Sequence, residues 1–131
     1  MVRAAPLILL FLVGCQQRPN NNICIVPMSL EQSLKLGNDS TAWEQKVDAC
    51  VSRWGMRLAG GPDSINEVAE ATMGGCHDAV SSLVSSQFAE FRQHGITPPD
   101  YDLALAERRK AALEQARFYI ALARAGHCPV P

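Results

Sequence analysis

Little in this chain points outward to a partner or a reaction. Aromatic residues make up 6% of it, there are 3 histidines, and 12 basic side chains against 13 acidic ones leave a net charge of −1. With no basic block, the chain cannot draw affinity from phosphate neutralisation, which argues against nucleic acid as a partner. No two cysteines have the C-x₂-C spacing of structural zinc sites. His77, His94 and His127 fall on separate stretches without an H-x-x-x-H pair, and Ser81-Ser82 and Ser85-Ser86 lack a glycine-flanked elbow. Cys76-His77 has the tail of a haem-attachment motif, but Met73 stands where its first cysteine belongs. Catalysis needs an acid, base or nucleophile in mutual reach, and no such set is visible. The expectation is a chain that is not an enzyme, with no cofactor, no metal and no evident small-molecule substrate.

What is present begins with the first fifteen residues, MVRAAPLILLFLVGC. Arg3 supplies a positive start, and Leu7 to Val13 is an unbroken apolar run, long enough for an export signal and too short to span a bilayer. The run ends Leu12-Val13-Gly14-Cys15, which resembles the lipobox of bacterial lipoproteins. The resemblance implies cleavage before Cys15, a diacylglycerol on its thiol, and a membrane-lipid anchor of two or more acyl chains, each contributing about 0.8 kcal/mol per buried CH₂. Position 16 is Gln where lipoproteins kept in the inner membrane tend to carry Asp, so the likeness favours the outer membrane, facing the periplasm. The reading divides the chain into a signal (1–14), a lipidated polar tether (15–22) and a helical domain (23–131).

The domain carries Cys24, Cys50, Cys76 and Cys128, an even count that in an exported chain suggests two disulfides. Its helices are marked by start and stop signals. Ser29-Leu30-Glu31-Gln32 opens a short helix over about 29–36, with Gly37 expected as a left-handed cap. Thr41-Ala42-Trp43-Glu44 has the capping-box form and opens a helix over about 41–59, whose apolar face is Trp43, Val47, Cys50, Val51, Trp54 and Leu58. Gly60-Gly61-Pro62 ends it, and Ser64-Ile65-Asn66-Glu67 opens the next, over about 64–94, with His94-Gly95 as its stop signal. That stripe runs Ile65, Val68, Ala69, Thr72, Cys76, Ala79, Val80, Leu83, Val84, Phe88 and Phe91, with Gly74-Gly75 predicting a kink or a close helix approach. Pro98-Pro99 breaks the chain, and Asp100 caps a third long helix over about 101–125, ended by Gly126. Its expected buried stripe is Leu105, Ala106, Leu113, Ala116, Ile120 and Ala123, with Tyr119 at the edge. No strand-like alternation appears. The class is all-α, a small bundle of three main helices with a short N-terminal helix.

The helical register selects a pairing of cysteines. The first two long helices are joined by a turn too short for anything but antiparallel neighbours. Cys50 and Cys76 then stand at nearly equal heights, both on apolar stripes facing one seam. Cys24 and Cys128 remain, both on non-helical flanks, and their union would clasp the last helix to the hairpin. Arg108-Arg109-Lys110, interleaved with Glu107 and Glu114, reads as a solvated face with pairs at three or four residues, and falls short of a lipid-recognition cluster. Trp43 and Trp54 read as core aromatics, with an exposed platform for a partner or a glycan as the alternative.

The run Cys50-Val51-Ser52-Arg53-Trp54, Leu58-Ala59, Val68-Ala69-Glu70-Ala71 and Cys76 resembles a pattern in small uncharacterised α-proteobacterial proteins. That likeness implies a hairpin with facing cysteines and no assigned activity. A second likeness, to helical cysteine-pinned lysozyme-inhibitor lipoproteins, lacks their aromatic-Arg-Asp run before the final cysteine. The functional expectation is a non-enzymatic envelope lipoprotein, a helical structural or interaction module with a possible envelope-protein partner. The alternative is a periplasmic inhibitor or binding protein for a cell-wall hydrolase.

Overall fold

The computed structural model describes residues 28–127. Along them run α1 (Leu30–Lys35), α2 (Ser40–Leu58), α3 (Ile65–Gln93) and α4 (Tyr101–Arg124), with no strand among the described residues. The ends of these helices are written locally. Ser29 and Ser64 both form full capping boxes, their hydroxyls accepting from Gln32 and Glu67 while those side chains bond back to the cap backbone. The Asp100 carboxylate accepts from the Leu103 amide at 2.9 Å and opens α4. Both C-termini after α3 and α4 close in Schellman form. Gly95 and Gly126 take φ of +69° and +73°, and the next amides, Ile96 and His127, reach back to the carbonyls of Phe91 and Leu122.

Two expected helix ends differ. α2 starts at Ser40 on an Asp39 cap, whose carboxylate accepts from Ala42, and not on a Thr41 capping box. The reason is long-range: Glu90 of α3 accepts from both the amide and the hydroxyl of Ser40 at 2.8 and 2.7 Å, satisfying a donor that a later start would leave without this role. Gly37 is not a left-handed cap, because α1 simply unwinds at Leu36 into extended backbone (φ −70°, ψ 149°).

α2 and α3 are antiparallel across the Gly60–Ser64 turn, and α4 lies against both. The buried core joins Val47, Val51 and Met56 of α2 to Val68, Ala69, Met73, Val80 and Leu83 of α3 and to Ala112, Ala116, Tyr119 and Ile120 of α4. Every buried side-chain nitrogen or oxygen among the described residues has a partner; Thr72, for example, donates to the Val68 carbonyl. Arg124 fastens the far end by donating to the carbonyls of Ala59, Gly61 and Asp63 at the α2–α3 turn.

The core is wider on α2 and rotated on α4 relative to the stripes expected from periodicity. Gly55 and Met56 are buried while Trp54 is 37% exposed, because α2 is covered by two neighbours and not one. A Cβ on Gly55 would stand 3.5 Å from Ile120 and 3.6 Å from the Ala116 carbonyl, so this glycine sets how closely α2 and α4 approach. On α4 Ala106 is exposed, Leu105, Leu113 and Ala123 are partly buried, and Tyr119 is inside at 3% exposure. The face was misjudged by about one residue because an alanine-rich helix gives hydrophobic periodicity little contrast.

Candidate functional site

The α2–α3 seam is closed covalently. Cys50 and Cys76 form a disulfide with Cα atoms 5.9 Å apart, the pairing expected from register. Cys76 is buried and Cys50 partly so. Gly75 beside it admits the Trp54 indole, whose Cε2 would lie 3.3 Å from a Cβ there, whereas Gly74 faces open space. The close approach expected from the glycine pair is thus made by one glycine, and by a side chain lying across α3. The Arg57 guanidinium lies 5.7 Å from the Trp54 ring and the Lys46 ammonium 4.2 Å from that of Trp43. Cys15, Cys24 and Cys128 lie outside the described residues.

Of the pairs expected along α4, Glu114–Arg117 forms, while the arginines of the basic cluster reach across to other helices. Arg109 reaches Glu70 of α3 at 2.8 Å, Arg108 approaches Glu44 of α2 at 3.9 Å, and Glu114 pairs with Arg117; neither Glu107 nor Lys110 joins an ion pair among the described residues. Long side chains next to a facing helix find partners across the groove more readily than along a single exposed turn.

Two small cavities flank α4. The first, of about 180 Å³, is lined by Met73, His77, Val80, Leu105, Ala106 and Arg109. His77 therefore opens on an apolar wall beside a cation, and no carboxylate lines that space. Among the described residues no group of three or more His, Cys, Asp and Glu side chains is arranged to hold a metal ion.

The second cavity, also about 180 Å³, lies between α2 and α4 over a floor of Val47, Leu83 and Ala112. Its wall is Asp48. One oxygen of that carboxylate, Oδ1, accepts from the Tyr119 hydroxyl at 3.1 Å and from the Gln115 amide. Burial of the phenol, then the negative charge of Asp48 and the hydrogen bond to it, push the Tyr119 pKa up to about 12. Tyr119 thus remains a proton donor throughout the ordinary pH range. Glu44 and Arg108 stand at the mouth. This network was not anticipated from the sequence. The available signal was Asp48 placed directly beside the apolar Val47, and Gln115 and Tyr119 one turn apart on the facing helix.

No known protein family, no curated protein and no solved structure matches this chain.

Proposed function

We propose that this chain is a membrane-anchored envelope lipoprotein whose helical domain acts as a non-enzymatic structural or interaction module. The observation that carries the reading is the Leu12-Val13-Gly14-Cys15 lipobox at the end of an apolar run. An oxidised Cys50–Cys76 pair fits the same reading, since disulfides persist in exported proteins and are rare in reducing compartments. In this reading acyl chains on Cys15 hold the domain at the periplasmic face of the outer membrane, and the polar stretch 16–22 is the tether.

A second bridge, Cys24 to Cys128, completes the proposed architecture. Arg53 of α2 donates to the Met28 carbonyl at 2.7 Å, which seats the chain four residues after Cys24 against the second half of α2. Arg124 ties the last turn of α4 to the carbonyl of Ala59, six residues further along. Six helical residues rise about 9 Å, and four residues of chain span at most about 14 Å, so distance does not bar the proposed bridge.

The test is fractionation with intact-mass measurement on the native protein. Loss of residues 1–14 with a lipid-sized mass on Cys15, and release from the membrane by Cys15→Ser, are the expected results. An uncleaved chain with an unmodified Cys15 refutes the anchor.

A second reading, an inhibitor or binding protein for a cell-wall hydrolase, draws on the exposed edge of Trp54 with Arg57 over its ring. Inhibition of a purified lysozyme that is lost in Trp54→Ala but kept on Ala substitution of Phe118, an exposed aromatic of α4, would favour it over the first.

A further inference from the structure

The cavity between α2 and α4 has a feature that the packing of the bundle does not require. Both hydrogen bonds to Asp48 arrive at the same oxygen, Oδ1. Its other oxygen, Oδ2, has no protein partner among the described residues, and since no buried polar side-chain atom there lacks one, Oδ2 keeps some solvent access. Tyr119, itself 3% exposed, and Gln115, which also lines the cavity, hold the carboxylate in place. A donor arriving through the cavity meets an acceptor that is already oriented.

The charges at the mouth sharpen this picture. The nearest Arg108 nitrogen stands 3.9 Å from Glu44 Oε1, and the guanidinium makes no hydrogen bond among the described residues. Their side chains are 42% and 54% exposed, so the pair is a weak one. Glu44 and Arg108 cancel each other, which leaves Asp48 as the uncompensated charge over an apolar floor. The space, about 180 Å³, is a cleft open to solvent on one side, with an apolar floor and a polar rim. It therefore suits a small occupant with an apolar body and a polar head.

We propose that this cavity binds a short alkylammonium group, its methylenes on Val47, Leu83 and Ala112 and its ammonium on Asp48 Oδ2. A charge-assisted hydrogen bond beside a low-dielectric floor is stronger than the same bond in water. The chemistry is shared by a free aliphatic amine and by a lysine-type side chain carried on a peptide. The inference does not depend on the lipid anchor.

The experiment is a methyl NMR titration of the full chain with n-butylammonium chloride. Saturable shifts of the Val47, Leu83 and Ala112 methyls are expected. 1-Butanol, with the same number of heavy atoms and no charge, is expected to bind at least tenfold more weakly, and equal binding overturns the proposal. Asp48→Asn is expected to weaken butylammonium at least tenfold. Because Asp48 also holds α4, two half-exposed positions provide variants that spare the core. Glu44→Gln is expected to weaken binding about threefold, and Arg108→Gln to strengthen it by a similar factor by removing the competing cation. The reverse order, or no methyl response to butylammonium, refutes the site. Nα-acetyl-lysine methylamide separates the sources: comparable binding assigns a lysine-type side chain, and binding of butylammonium alone assigns a free amine.

Discussion

The α2–α3 hairpin and α4 are built into the same core by opposite means. The hairpin is closed by a short turn and by a covalent bond between residues 26 apart. α4 has no covalent tie among the described residues. It is held to α2 by the Asp48 carboxylate, 71 residues before Tyr119, by the clamp of Arg124 on Ala59, 65 residues away, and by a closely packed seam at Gly55, and to α3 by Arg109 on Glu70 and Tyr101 against Phe88. Both α2–α3 and α3–α4 close across short connections at little entropic cost, whereas α4 meets α2 only across the whole of α3. The hairpin is therefore held by its bridge and by contacts such as Trp54 on Gly75, whereas the α2–α4 contact depends on the fit of a few buried side chains.

The largest expected effect breaks α4 away from the hairpin. Ile120 is fully buried against α2, and Ile120→Ala is expected to cost about 4 kcal/mol in urea unfolding. The Cys50–Cys76 bond should survive this change, which a free-thiol assay on the folded variant reads directly. A variant that loses the bridge as well would mean that the hairpin does not stand on its own closure.

Removing the covalent tie is expected to cost less. The double variant Cys50→Ser, Cys76→Ser should lose about 3.5 kcal/mol, the chain-entropy value for a loop of this length. An unchanged denaturation midpoint would show that the seam is held by packing alone. Tyr119→Phe comes next. It removes one of the two donors to Asp48 while keeping the ring in place, at an expected cost of about 1–2 kcal/mol. If Gln115 alone satisfies the carboxylate the cost falls near zero, and α4 is then held mainly by apolar contact.

The same contrast explains what could be read from the sequence. The capping boxes at Ser29 and Ser64, the Asp100 cap and the stop signals Gly95 and Gly126 are each decided within a few residues, and each stands where expected. The Cys50–Cys76 pairing was legible because a short turn makes register a matter of counting. The Asp39 cap was hidden because Glu90, 50 residues from Ser40, helps to set where α2 begins. The buried face of α4 was hidden for a similar reason. Alanine fits both the core and the surface, so the pattern alone could not rank Ala106 against Ala112, and only the approach of Gly55 fixes the rotation. Asp48 and Gln115 looked like ordinary surface residues, because their meeting requires knowing which helices pack side by side.

A smaller effect separates the two adjacent glycines of α3. Gly74 has open space where a Cβ would go, so Gly74→Ala is expected to stabilise by about 0.5–1 kcal/mol through helix propensity and a less flexible unfolded chain. At Gly75 the new methyl would press on the Trp54 indole at 3.3–3.4 Å, and the two effects oppose each other. Gly75→Ala should gain less than Gly74→Ala, with a shift in Trp54 fluorescence that the neighbouring variant lacks. Equal gains at both positions would mean that the indole moves aside freely, and that the hairpin seam is loose at this point.

The smallest effect lies at the open end of the hairpin and depends on pH. Glu90 accepts from the amide of Ser40 and then from its hydroxyl, and these bonds hold its carboxyl below the ordinary 4.5 against opposing desolvation and the nearby Asp39 charge. A carboxylate whose folded pKa is depressed binds its proton more readily in the unfolded chain. It therefore contributes stability above the unfolded pKa and loses it as pH falls through the folded one. Glu67 in its capping box behaves in the same direction through Ser64, so the pH dependence of the wild type alone does not isolate Glu90. The difference between wild type and Glu90→Gln does, since Glu67 is common to both. Gln keeps an acceptor oxygen for Ser40 and lacks the charge. The wild type should be the more stable at pH 7, with the gap beginning to close below about pH 4.5 and gone once Glu90 is protonated in both states. A gap that stays constant across that window in paired urea titrations would show that Ser40 responds only to the oxygen's position. The start of α2 would then be fixed by Asp39, a local signal, and this end of the hairpin would resemble its turn more than it resembles α4.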